Sequence, residues 1–68
     1  MTTYTYHCVV DPLHEQAAVV DENAYRCLSD LMLQQPHRFH SIRLVIIESR
    51  EPLSHDDLIR RLAALCYG

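Results

Sequence analysis

Ser54-His55-Asp56 brings together the three residue types of an acyl-transfer triad. Adjacent side chains on a helix point about 100° apart, so they cannot form the nucleophile–base–orienter chain. The same residues suit a helix start: Ser54 as N-cap, then Asp56 and Asp57 in a first turn that favours acids. Soft ligands are present as Cys8, Cys27 and Cys66 with five His, the densest group being His37-Arg38-Phe39-His40. No Cys-x-x-Cys occurs, and His37 and His40 fall in an expected loop, so the spacing of a zinc site is not met. His7 and Cys8 are neighbours in an expected strand and point to opposite faces.

Cys27 and Cys66 are placed on the apolar faces of their helices, where thiols behave as small hydrophobes rather than nucleophiles. The carboxylate pairs Asp21-Glu22 and Asp56-Asp57 would need a deep pocket to divide into acid and base, and a small core offers little depth. No catalytic residue, metal or cofactor is therefore expected. Arg and aromatic residues are over-represented at interface hot spots. Tyr4, Tyr6 and Tyr25 are the candidate aromatic anchors for a protein partner, with Arg38 and Phe39 as a candidate contact loop.

The composition agrees with this shift from chemistry to contact. Six Arg against nine acidic residues give a net charge of −3, the opposite of a nucleic-acid footprint. Gly68 is the single glycine, which excludes glycine-rich phosphate loops. The longest apolar run, Leu62–Tyr67, is far short of the roughly 20 residues of a membrane span. The first residues lack the basic and apolar regions of a secretory signal, and an odd cysteine count argues against a disulfide framework. A cytoplasmic setting is expected. With 68 residues the chain is expected to form one small domain, and a core of that size rarely supplies more than about 3–5 kcal/mol. Self-association, with a dimer favoured, would supply the rest.

Residues 3–10 are rich in β-branched and aromatic types and alternate so that Tyr4, Tyr6, Cys8 and Val10 share one face of a strand. After Asp11-Pro12, a good helix opening, apolar residues recur at 13, 17, 20, 24, 27 and 31, which favours a helix over 12–35 ended by Pro36. A second arrangement makes 15–20 a strand and starts the helix at Asp21, with Val20 and Tyr25 as a hydrophobic staple. A tight hairpin over 10–15 would want Gly or Asn at positive φ; a four-residue loop built on a type I turn would serve. Residues 42–49 form the clearest strand, apolar on both faces at Leu44–Ile47. From Ser54 a last helix turns Leu58, Ile59, Leu62, Leu65 and Cys66 to one side. The expected fold is a small two-layer α+β unit, strand–helix–strand–helix with parallel strands and a sheet completed by oligomerisation, or alternatively ββαβα.

A strand at the start, a helix of about twenty residues and the strand Ser41-Ile42-Arg43-Leu44-Val45-Ile46-Ile47-Glu48 make residues 3–49 similar to the 4-oxalocrotonate tautomerase family. The resemblance implies a ring of subunits with an acid-binding pocket near the N-terminal strand, Arg43 being its anion ligand. The family's general base is a proline directly after the initiator Met; here that position is Thr2, and Pro12, Pro36 and Pro52 have no basic nitrogen.

The leading expectation is a non-enzymatic interaction protein that occludes a larger regulator or enzyme. Inhibitors, anti-activators and adaptors encoded by bacteria or their phages are of this size and charge. Two alternatives are a degenerate tautomerase-like binder of small acids and a His/Cys metal-binding protein.

Overall fold

The computed structural model of the chain describes residues 2–67. Strand β1 (Tyr4–Asp11) leads through a 3-10 turn (Pro12–His14) into β2 (Gln16–Val20); α1 (Glu22–Gln34), β3 (Arg43–Ser49) and α2 (His55–Tyr67) follow. The fold is thus a small mixed α+β unit with the ββαβα order. The sheet is open, in the order β2-β1-β3, and β1 is antiparallel to both neighbours. β2 and β3 run parallel to one another across β1, with α1 as their crossover. The parallel pairing expected of the N-terminal strand and β3 is replaced because the hairpin reverses the chain before the helix begins.

The helix expected over 12–35 keeps only its second half, and the alternative strand over 15–20 is the form the chain takes. Asp11 caps the 3-10 turn, its carboxylate accepting the His14 backbone N–H at 3.3 Å and meeting His14 Nδ1 at 2.7 Å. Glu15 then enters the left-handed region, φ 52° and ψ 44°, and its N–H donates to the Pro12 carbonyl at 3.3 Å. Glycine or asparagine is the usual occupant of such a position, so the sequence carries no local mark of the reversal. Pairing of Ala17, Ala18 and Val19 with Val10, Val9 and Cys8 overrides the helical preference of the two alanines.

Asp21 caps α1, its Oδ1 accepting the Ala24 N–H at 2.7 Å, and the segment before Pro36 closes with Gln35 donating to the Leu31 carbonyl at 2.8 Å. An Arg26–Glu22 pair at 2.6 Å is exposed, so it adds only a few tenths of a kcal/mol. Ser54 caps α2 as its sequence suggests, Oγ accepting the Asp57 N–H at 3.2 Å.

The sheet and α2 form the two layers that hold the core. Cys8, Val10 and Ile47 from one face of the sheet meet Leu58 and Leu62 of α2, with Tyr6, Val19, Val45 and Leu53 packed around them. The expected face of Tyr4, Tyr6, Cys8 and Val10 is therefore the core face. α1 lies against the opposite face, where Tyr25 meets His7, and none of its residues is fully buried. The cover expected on both sides of Leu44–Ile47 is incomplete: Ile47 is buried, whereas Ile46 is 49% exposed.

Candidate interaction surfaces

The five aromatic and arginine candidates fall in separate parts of the fold. Tyr4 opens β1 opposite Ser49 and is 38% exposed. Tyr6, two residues on, is half-buried against the core, and its phenolic oxygen accepts the Leu53 N–H at 2.9 Å. That bond gives it a structural task. Tyr25 on α1 is half-buried, its ring 5.0 Å from that of His7 in an edge-to-face arrangement at 63°. Arg38 and Phe39 lie in the connection from α1 to β3. The guanidinium carbon stands 5.6 Å from the Phe39 ring centroid, and Nη1 donates to Gln35 Oε1 at 3.3 Å. Tyr4 and Arg38 are exposed, whereas Phe39 is half-buried like Tyr6 and Tyr25.

The groups considered for chemistry are occupied locally or stand apart. Ser54 Oγ is held as a helix cap. Cys8 is buried, and that burial raises its thiol above the ordinary range, which disfavours the thiolate. Cys66 is half-buried and Cys27 exposed. The exposure of Cys27 corrects its placement on the apolar face: α1 turns Tyr25, Leu28, Ser29 and Met32 inward, and Cys27 points away from that stripe. Among the described residues no group of three or more His, Cys, Asp and Glu converges as a metal site. No helix there is long and apolar enough to cross a membrane.

Desolvation is the largest single effect on the Asp11 carboxyl and pushes it up, but several opposing effects together leave it below its ordinary range. Those are hydrogen bonds from the His14 side chain and backbone, the His14 charge, and a hydrogen bond from Ser41. Asp11 thus secures the hairpin turn through its two contacts with His14.

The structure adds a site that the sequence did not reveal. A groove of about 560 Å³ runs between the edge strand β2 and α2. Ala17, Ile59, Ala63 and Cys66 line its α2 side, Val9 and Ala18 its other side, and Glu15 and Gln16 contribute its polar groups. Its one signal in the sequence is the set of small residues Ala17, Ala18 and Ala63, which acquires meaning only once 16–20 is known to be a strand.

The topology also bears on the similarity to the tautomerase family. That resemblance implied a helix of about twenty residues directly after the first strand, and the 3-10 turn (Pro12–His14) and β2 (Gln16–Val20) stand at the start of that span instead. Arg43, its suggested anion ligand, is an exposed residue at the start of β3. Compared with models of protein families, with curated proteins and with solved structures, the chain matches none.

Proposed function

We propose that this protein is a non-enzymatic interaction module, an inhibitor, anti-activator or adaptor that binds a larger protein and occludes one of its functional faces. The observation that carries the reading is the incompletely covered sheet face beneath α1. Ile46 at the centre of β3 is 49% exposed, and Leu31 and Leu33 on α1 are 41% and 81% exposed. Ile46 leaves apolar area of the sheet face uncovered, and exposed apolar area on so small a chain is characteristic of contact surfaces. Tyr4, Phe39 and Arg38 supply anchors of the types enriched at hot spots. Both sheet edges are open among the described residues, which also supports self-association, a dimer being the simplest closed form. Three free thiols suit a reducing compartment such as the cytoplasm.

The test is affinity capture of a partner with the wild-type chain, followed by calorimetric binding of the purified partner to Tyr4→Ala and Phe39→Ala chains. The reading expects each substitution to weaken binding by about 1–2 kcal/mol without changing the fold. Equal binding by wild type and both variants would remove these anchors. Failure of the wild-type chain to retain any protein would remove the function.

A further inference from the structure

Among the described residues, β2 borders the sheet and has a strand partner on one side only. Its outer N–H and C=O groups are a template on which a further strand can pair. The groove lies along this edge, and its lining includes the successive residues Glu15 to Ala18. Ala17 faces α2 together with Ile59, Ala63 and Cys66, whereas Ala18 and its register partner Val9 point to the opposite face. A concavity confined to one face would suit a compact small molecule. One that follows an open strand edge matches a strand, which can pair along that edge and turn alternate side chains towards α2. The alanines keep the space open where larger side chains would fill it.

Charge narrows the occupant. Glu15 is the single charged residue among those lining the groove, and it stands at the hairpin end of β2. Its carboxylate favours a cation at that end. A second copy pairing β2 against β2 would present Gln16–Val20 flanked by Glu15 and Asp21, a segment with no cation to offer.

We propose that this groove receives an extended peptide segment of a partner protein, which adds as a fourth strand beside β2, seats alternate apolar side chains against Ile59 and Ala63, and brings a basic residue to Glu15. The inference rests on the interaction reading above and specifies where the partner is held and in what conformation.

The experiment uses the full chain and a phage-displayed library of random dodecapeptides, the enriched sequence then being synthesised and measured by calorimetry and backbone-amide NMR. The expected result is an enriched pattern of alternating apolar residues with Arg or Lys towards one end. Bound peptide shifts the amides of 16–20 and of Ile59, Ala63 and Cys66. Ala63→Phe, which fills the groove, weakens binding by about tenfold or more, and Glu15→Gln weakens it about threefold and flattens its salt dependence. Ala18→Glu, a change at an exposed position, repeats the first test independently of α2 packing, so a folding defect in Ala63→Phe does not decide the matter. Shifts confined to α1 and Ile46 would overturn this site while leaving the interaction function standing. A peptide-free dimer with protected β2 amides, lost in Ala18→Glu, would make a second copy the occupant and overturn the peptide proposal. Enrichment of no sequence above background would overturn it as well.

Discussion

The phenolic oxygen of Tyr6 accepts a hydrogen bond from the backbone N–H of Leu53 at 2.9 Å, across a sequence separation of 47 residues. Leu53 immediately precedes Ser54, the cap of α2, so this bond fixes where the last helix enters the sheet. Tyr6→Phe preserves the ring and its packing but leaves the Leu53 N–H without its acceptor. The expected cost is about 1 kcal/mol, which for a chain of this size lowers Tm by about 4–8 °C. Thermal unfolding followed by circular dichroism checks it, and an unchanged Tm would mean that water replaces the phenol without loss.

Leu62 is fully buried at the centre of the α2–sheet core. Its truncation to Ala removes packing worth about 2–5 kcal/mol, comparable to the whole stability expected of a core this small, about 3–5 kcal/mol. Leu62→Ala is expected to be largely unfolded at 25 °C, and Leu62→Met, which conserves volume, to lose less than about 1.5 kcal/mol. Urea unfolding curves of the two variants give the comparison. A well-folded Leu62→Ala chain would place the stability elsewhere, most simply in a subunit interface.

Much of this core is legible in the sequence. The alternation of Tyr4, Tyr6, Cys8 and Val10 identified the inward face of β1, and the cap at Ser54 with the stripe through Leu58 and Leu62 identified α2 and its buried side. The segment 12–20 was harder because its apolar spacing continues the helical period of α1, and the residue that breaks it is a glutamate in a conformation that glutamate rarely adopts. Tertiary pairing with β1 decided the matter, and such pairing has no local signature. The groove followed the same rule. Ala17 and Ala63 are far apart in the sequence and become a site only when β2 lies beside α2.

The Asp11 carboxyl carries the pH dependence of the hairpin. Its pKa in the folded chain lies below the ordinary value of 3.8, so the unfolded chain binds the proton more readily. The contribution of the Asp11–His14 contacts is therefore fully present above the ordinary carboxylate pKa and is lost as pH falls through the lower folded value. Asp11→Asn is expected to flatten this part of the acid limb while keeping a side-chain oxygen for the His14 N–H. Urea midpoints measured between about pH 5 and pH 2 test this, and equal slopes for wild type and variant would assign the acid limb to other carboxylates.

Glu15 joins the strain of the hairpin to the charge of the groove. At φ 52° and ψ 44° an L-residue other than glycine is disfavoured by of order 1 kcal/mol, a cost that the pairing of β2 with β1 offsets. Glu15→Gly removes the Cβ clash and is expected to raise the urea midpoint, with a gain of up to about 1 kcal/mol because added freedom in the unfolded chain takes back part of the benefit. Glu15→Val places a β-branched side chain in the same region and is expected to lower the midpoint. Both substitutions also delete the carboxylate, so both should weaken the basic peptide proposed for the groove. Stability moving in opposite directions while peptide affinity falls in both would separate the backbone role of this residue from its charge. A midpoint lowered by Gly as much as by Val would show that the Glu15 side chain itself supports the turn, and the strain account would have to be given up.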